Sequence, residues 1–278
     1  MHGGKLLFLA CTILGAIVLA GILAPLITPY GPFDQNLDAM LERPSLRHPL
    51  GTDELGRDVL ARLVYGARYV MGVAIWGAAL PICLGIPVGL LTGFSRRWSW
   101  LDWVVEALMP LPDLLLTLLV ASLLGPSLNN ALFALSITYT PVIARLVRSE
   151  VRQASASPFV LRLRASGVSG GRIITQHLLR HAAGPVLIQS ALNLGAGVTV
   201  TAGLGYLGLG AQPPLPEWGA MLNSAVAHLS TRPAIAGSCA LMIAVTSLSL
   251  QLIGEEAGKM MGRHRARAWN PFLHATAT

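Results

Sequence analysis

The sequence has 278 residues, of which 53% are hydrophobic and 12% charged, whereas roughly a quarter of the residues in a soluble domain are charged. With a mean hydropathy of +0.60 and a mass of 29.4 kDa, this composition excludes a soluble globular protein and leaves no room for large domains outside a membrane. The three cysteines lie in apolar stretches without a CxxC pairing, so they indicate neither a disulfide framework nor a metal site. In a membrane protein, the placement of the charged residues between the spans is more informative than the net charge of +7.

Six apolar stretches divide the chain, and a helix of about 20 such residues crosses roughly 30 Å of hydrocarbon. They comprise residues 6–28, 69–94, 103–124, 131–144 with a few flanking residues, 185–206 and 233–253. The sequence therefore predicts an all-α integral membrane protein with six transmembrane helices. Its predicted organisation is an N-terminal span with an outer segment over residues 1–68, a transmembrane domain over 69–254 and a C-terminal tail over 255–278.

The lysines and arginines are distributed unequally between the two sides of the membrane. If the amino terminus lies inside, 14 of the 20 fall on the inner side, and seven of these lie between Arg145 and Arg180. The outer side holds six, and five of these share their loop with six acidic residues. The positive-inside rule therefore predicts that both termini are cytoplasmic.

The outer segment over residues 30–68 ends in an amphipathic pattern. Thr52 or Asp53 is expected to cap a helix, and the pairs Asp53/Arg57 and Asp58/Arg62 have the i,i+4 spacing of ion pairs on its polar side. This pattern predicts a helix lying at the outer surface before the second span. A solvated helical linker explains it equally well.

Two features of the spans point to packing and to transport. Gly85, Gly89 and Gly93 repeat every four residues and place a smooth strip on one face of the second span, where another helix can approach closely. In the third span, Glu106 and Asp113 share a face, and acids inside membranes are costly and often functional. Asp113 is therefore a candidate for a solute path, with Glu106 placed at the membrane interface.

The inner segment over residues 145–184 combines seven arginines with too few apolar residues for a domain. Gly167 and the Gly170-Gly171 pair divide it into two short predicted helices. Such an element can dock a soluble partner, and contact with lipid headgroups is the alternative that charge alone favours.

Several motif matches lack the context that their chemistry requires. The GxGxxG run at 203–208 ends an apolar span, the GxSxG run at 167–171 has no strand before it, and the glycine-lysine run at 254–259 is one residue short of a P-loop. His177 and His181 lie beside Arg180 and are interpreted as a basic helix face rather than zinc ligands. No catalytic constellation is found, so the sequence predicts no enzyme and no metal site.

Four segments, taken together and in order, carry a resemblance to a known family. They are His48-Pro-Leu-Gly-Thr-Asp-Glu-Leu-Gly-Arg-Asp58, Ala144-Arg-Leu-Val-Arg-Ser-Glu150, the inner segment with Phe159-Val160, Arg164-Ala-Ser-Gly167 and His177-Leu-Leu179, and Tyr206-Leu-Gly-Leu-Gly210 with Gln212-Pro-Pro214 and Glu217-Trp-Gly-Ala-Met-Leu222. They resemble the second permease subunit of bacterial ABC importers for dipeptides, oligopeptides and nickel. The resemblance implies the architecture of a type I ABC importer permease, a non-catalytic subunit, in the bacterial inner (plasma) membrane.

The resemblance also implies roles for particular residues. Expected contacts with the ATPase are Phe159, Arg162, Arg164, Ala165, Gly167 and Ser169. Candidates for the translocation path are Asp113, Asn193, Thr199 and Thr201. Expected contacts with a solute-binding protein on the periplasmic side are Asp53, Arg57, Glu217 and Trp218. One departure is that Leu161-Arg162-Leu163 replaces the usual Glu-Ala-Ala of the docking segment.

The partners implied are a homologous permease, two cytoplasmic ABC ATPases that hold ATP and magnesium, a periplasmic or lipid-anchored solute-binding protein, and membrane lipids. The chain itself is expected to bind no cofactor and no nucleic acid. The docking segment without its glutamate resembles nickel importers slightly more than peptide importers, so nickel or a metal chelate is the first expectation, and dipeptides or oligopeptides are the alternative. A self-sufficient secondary transporter would need membrane-buried ion-coupling groups and often inverted repeats, and few such groups and no repeat are visible.

Overall fold

The computed structural model describes residues 2–269, and the side chains of residues 4–261 except 74 and 96. Helices and the loops between them make up the described chain. The helices are α1 (His2–Ile22), α2 (Ala24–Ile27), α3 (Val59–Phe94), α4 (Ser99–Leu108), α5 (Asp113–Leu124), α6 (Leu128–Ser155), α7 (Pro158–Ala165), α8 (Gly170–Ile173), α9 (Leu179–Tyr206), α10 (Trp218–Val226) and α11 (Pro233–Trp269).

Five of these helical stretches are long and apolar enough to cross a membrane. They are Gly4–Ile22, Val59–Phe94, Leu128–Ser155, Gly170–Tyr206 and Pro233–Met261. Helices α4 and α5 make a sixth if they count as one span bent by 99°. The predicted all-α membrane fold is confirmed. The end of the bundle that holds residues 28–58 and 207–232 is called the outer end here, and the opposite end the inner end, following the orientation that the Lys and Arg distribution predicts.

The third predicted span is not one straight helix. Its predicted range of 103–124 is interrupted between Leu108 and Asp113, because Pro110 and Pro112 disfavour helical backbone in the residues before them. Helix α5 alone has 12 residues and is about 18 Å long at 1.5 Å per residue. The break therefore separates Glu106 from Asp113, which the sequence pattern had placed on one helix face.

Other predicted boundaries move outward in the structure. The fourth span starts at Leu128, within the few flanking residues predicted before 131, but it continues to Ser155, well beyond 144. The predicted two-helix inner segment consists instead of the last part of α6, the short helix α7 and the start of the long stretch Gly170–Tyr206. The predicted division at residue 68 falls inside α3. The predicted tail over 255–278 begins inside α11, and residues 270–278 lie outside the described part of the chain.

The predicted amphipathic helix over residues 52–68 does not exist as a separate element. Backbone up to Asp58 forms turns, and α3 starts directly after it and continues into the membrane. The predicted cap at Thr52 or Asp53 is wrong, since the side chain of Asp58 accepts the hydrogen bond from the Ala61 N–H at 2.6 Å.

One of the two predicted ion pairs in this region is confirmed. The Nε atom of Arg57 lies 2.7 Å from Oδ2 of Asp53. Asp58 pairs instead with Nδ1 of His48 at 2.9 Å, and Arg62 donates to main-chain carbonyls. The outer segment is thus folded back onto the start of α3 rather than lying beside the bundle.

The glycine strip of α3 packs against α6, as predicted. A Cβ atom built at Gly85 would lie 2.8 Å from Ile143, and one at Gly89 would lie 2.5 Å from the carbonyl oxygen of Ala144. At Gly93 the nearest atom, on Val151, is 2.8 Å away. Because real Cβ contacts are longer than these, the two helices approach at a distance that only glycine permits.

Candidate functional site

Helix α7 stands out at the inner end because both of its ends are capped. The Oγ of Ser157 accepts the Val160 N–H at 3.4 Å, and Pro158 occupies the first turn. At the other end Gly167 adopts a φ of 77°, and the N–H of Val168 donates to Leu163 at 3.1 Å. This is the Schellman arrangement, so the local sequence defines where α7 stops and how the chain leaves it.

The side chains of α7 divide into an anchored face and an exposed face. Val160 is buried in a cluster with Val147, Val151 and Ile173. On the other face Phe159 and Leu161 are 57% and 52% exposed. All the predicted docking residues are exposed in the described structure: Phe159, Arg162, Arg164, Ala165, Gly167 and Ser169. The inner end therefore presents a mixed apolar and basic surface on a firmly packed base.

Aromatic contacts tie the exposed face of α7 to its neighbours. The guanidinium of Arg164 lies over the ring of Phe94 at 4.8 Å, and the ring of Phe159 meets that of His177 edge-on at 5.2 Å. His177 belongs to a π-helical turn, Ile174–Leu178, that leads directly into α9. The exposed face of α7 thus contacts the end of α3 and the turn that leads into α9.

Sequence reasoning missed an ion-pair cluster beside this surface. Arg148 on α6 lies 2.7 Å from Asp102 and 3.0 Å from Glu106 on α4, and Arg152 lies 3.3 Å from Asp102. A signal was present, because the two acids and the two arginines both have i,i+4 spacing and can face each other from two helices. The cluster holds α4 against α6.

The four predicted path residues are not brought together. Asn193 and Thr201 are buried inside the bundle, whereas Asp113 is exposed in the first turn of α5. Thr199 is exposed on another face of α9, where its Oγ1 donates to Oγ of Ser247 at 2.9 Å.

Thr199 belongs to a shallow groove of about 360 Å³ between α9 and α11. The groove is lined by Thr199, Leu222, Ala240, Ile243, Ala244, Ser247, Leu248 and Gln251. Within it, Nε2 of Gln251 donates to Ser247 at 3.3 Å, and Ser247 donates to the Gly195 carbonyl at 2.7 Å. The groove lies on the outside of two membrane-spanning helices, and its lining is mostly apolar, with Thr199, Ser247 and Gln251 as the polar residues.

The predicted contacts at the outer end fall into two groups. Asp53 and Arg57 line a cavity at the outer surface. Glu217 and Trp218 do not lie on the surface, because they are 6% and 1% exposed. The indole of Trp218 donates to the Leu63 carbonyl at 3.0 Å and fixes α10 against α3. In this structure Glu217 and Trp218 therefore support the fold and do not face a partner.

Glu217 is the N-cap of α10. Its two carboxylate oxygens accept the N–H groups of Gly219 at 2.9 Å and Ala220 at 2.8 Å. Burial nevertheless raises the pKa of Glu217 above its ordinary value of 4.5, and these two hydrogen bonds only oppose the rise.

The raised pKa of Glu217 predicts a pH dependence of stability. Since the folded chain binds this proton more tightly than the unfolded chain, the stabilisation is present at low pH and is lost as the pH rises through the raised pKa. We expect the thermal unfolding midpoint in detergent to fall as the pH rises above 4.5, and to fall less in Glu217→Gln. The exposed acid Glu42, changed to Gln, is the control. An unchanged pH dependence in Glu217→Gln would contradict the assignment.

Within the described side chains, no three His, Cys, Asp or Glu residues come together as ligands for a metal ion.

Comparison with known proteins identifies the relatives of this chain. The family model described as "Binding-protein-dependent transport system inner membrane component" matches residues 85–255. The dipeptide transport permease DppC of Alkalihalophilus pseudofirmus is 34% identical over 253 residues, which cover 90% of this chain and 83% of that protein. The di/tripeptide permease DppC of Pseudomonas aeruginosa is 34% identical over 86% of this chain and 82% of its own length.

Two further matches extend the comparison. The glutathione transport permease GsiD of Pectobacterium atrosepticum is 32% identical over 78% of this chain and 73% of its own length. Among solved structures, an inward-facing form of the MetNI methionine ABC transporter matches with a TM-score of 0.55 at 19% identity, covering 70% of this chain and 93% of the matched chain. This structural likeness concerns the fold.

Proposed function

Because this chain belongs to the family of binding-protein-dependent transport system inner membrane components and is a multi-pass permease subunit of an ABC importer, we propose that it carries short peptides across the bacterial inner membrane. It is a non-catalytic membrane subunit, and ATP hydrolysis belongs to a partner. In the proposed assembly a homologous permease completes the path, two ATPases bind ATP and magnesium on the cytoplasmic side, and a solute-binding protein delivers the peptide from outside.

The peptide assignment rests on the relatives. Those compared above are named for dipeptide, di/tripeptide and glutathione transport, and these solutes are all short peptides. The first expectation of nickel rested on the missing glutamate at Leu161, and no relative compared here is named for nickel. The alternative expectation of dipeptides or oligopeptides therefore fits better than nickel.

The exposed surface of α7 is the proposed ATPase-docking site. Its support is the combination of the exposed Phe159 and Leu161 with a base that is buried in the bundle. Exposed apolar side chains on a rigid base are the kind of anchor that concentrates binding energy in an interface. Movement of the ATPases would reach the membrane through α6 and α9, which flank α7 in the chain.

The groove between α9 and α11 is the proposed wall of the translocation path. Polar side chains on a membrane-spanning surface face a protein interior or water rather than lipid. The exposed Thr199 and the half-buried Gln251 therefore support an orientation in which this groove faces the second permease across the path. Of the four path residues expected from the sequence, Thr199 fits this proposal best.

Substrate uptake by the complete importer with its binding protein tests the peptide assignment. Proteoliposomes are supplied with ATP inside and with either a radiolabelled dipeptide or radioactive nickel outside. We expect dipeptide uptake that excess unlabelled dipeptide suppresses, and nickel uptake no higher than in liposomes with an ATPase that cannot hydrolyse ATP. Nickel uptake that depends on ATP, without dipeptide uptake, would overturn the assignment.

A further inference from the structure

A cavity of about 90 Å³ opens at the outer end between the outer segment, the start of α3 and α10. Its charged lining residues are Asp53, Glu54, Arg57 and Arg62, with His228 at one side. A cavity of this volume is large enough for several water molecules and for a carboxyl group.

The lining includes a buried arginine whose hydrogen bonds are incomplete. The side chain of Arg62 is 5% exposed, and its Nη1 donates to the carbonyls of Pro32 at 3.0 Å and Pro214 at 3.3 Å. Its Nε makes no hydrogen bond and lies 3.5 Å from Oδ2 of Asp53. That carboxylate oxygen is already bonded to Nε of Arg57 at 2.7 Å.

The charges inside the cavity do not balance. Two guanidinium groups, of Arg57 and Arg62, share the single buried carboxylate of Asp53. The carboxylate of Glu54 is 42% exposed and lies 4.0 Å from His228, so it is partly screened by solvent. Asp58, the remaining nearby acid, bonds to His48 and to the N–H of Ala61. The buried groups of the cavity therefore carry more positive than negative charge, which is costly unless a counter-ion binds.

We propose that this cavity is a carboxylate-binding site. An entering carboxylate would accept hydrogen bonds from the free Nε of Arg62 and from Arg57, and arginine favours this ligand because its planar donors match the two oxygens. Two sources share this chemistry: the terminal carboxylate of a peptide solute, or an acidic side chain of the solute-binding protein. The choice of source rests on the proposed function, whereas carboxylate binding itself does not.

Binding of acetate to the complete importer in lipid nanodiscs, without ATP, tests the site. Acetate binding is followed by the broadening of its methyl resonance, and the uncharged acetamide is the reference. Asp53→Asn keeps the Oδ1 acceptor for the N–H groups of Leu55 and Arg57 but removes the competing charge. We expect this variant to bind acetate about tenfold more tightly than the wild type, and Arg57→Gln to lose binding.

Two variants of the same outer segment serve as controls. Asp38→Asn and Arg47→Gln remove the same charges from exposed positions outside the cavity lining, and both should bind acetate like the wild type. If Asp53→Asn and Arg57→Gln also bind acetate like the wild type, or if acetamide binds as well as acetate, the proposal is overturned.

Displacement of bound acetate identifies the source. Displacement by a dipeptide but not by its C-terminal amide assigns the site to the solute, and displacement by solute-free binding protein assigns it to the partner. If neither displaces acetate, the cavity has no carboxylate ligand in the transport cycle and the proposal fails. Uptake of peptide with no acetate binding contradicts this site alone, while acetate binding without any peptide uptake contradicts the proposed function alone.

Discussion

Gly89→Ala is expected to destabilise the helix bundle by about 2 kcal/mol, although alanine is the better helix former. The added Cβ would lie 2.5 Å from the Ala144 carbonyl oxygen and 2.6 Å from Val147, and a backbone carbonyl on a facing helix cannot turn aside. The helices α3 and α6 would have to separate along the strip that holds the bundle together. Reversible unfolding in mixed detergent micelles measures the change.

A matched glycine on the same helix provides the control. A Cβ at Gly72 would meet no atom of the described chain within 4 Å. Gly72→Ala should therefore leave stability unchanged or raise it by up to about 1 kcal/mol. Equal effects of Gly89→Ala and Gly72→Ala, in sign and size, would refute close packing of α3 on α6.

Phe159→Asp is expected to weaken association with the ATPase about a hundredfold, because a charge without a partner is costly in an interface. Phe159 is 57% exposed and makes no part of the buried cluster under α7, so the permease itself should fold normally. Co-purification of the ATPase from detergent extracts, followed by titration of purified subunits, measures the loss.

Ser99→Asp is the control for Phe159→Asp, since it adds the same charge at an exposed position of the inner end outside α7. An aspartate in the first turn of a helix is also well tolerated. We expect Ser99→Asp to bind the ATPase like the wild type. Normal ATPase binding by Phe159→Asp would remove α7 as the docking element.

The membrane-spanning helices could be predicted from the sequence because their signal is local. An uninterrupted apolar run is sufficient to identify a span, and the four-residue spacing of Gly85, Gly89 and Gly93 marks the face that another helix approaches. Helix ends were harder to place. Helix α6 continues through polar residues such as Arg148 to Ser155, so helical geometry persists beyond the apolar run.

The outer end could not be predicted because its partners are distant in sequence. Asp58 and Arg62 have the spacing of an ion pair, but folding brings His48 to Asp58 and the carbonyl of Pro214 to Arg62. Trp218 was predicted to contact a solute-binding protein at the surface. Its indole packs against α3 instead, because Gly66 has no side chain to block it.

At the inner end, the position of α7 could be predicted because local signals bound the helix, Ser157 before it and Gly167 after it. The predicted docking residues on and after this helix are all exposed. The cluster of Asp102, Glu106, Arg148 and Arg152 was missed because it joins helices that are about 45 residues apart. Spacing indicated which face each helix presents, but only the fold brings the two faces together.

ATP-dependent peptide uptake tests the central claim most directly. The permease pair is reconstituted in proteoliposomes with the solute-binding protein, and uptake of a labelled dipeptide is compared with and without the ATPase subunits. We predict uptake only when the ATPases and hydrolysable ATP are both present. Uptake at the same rate without the ATPase subunits would show that this chain works as a self-sufficient transporter and would contradict the account.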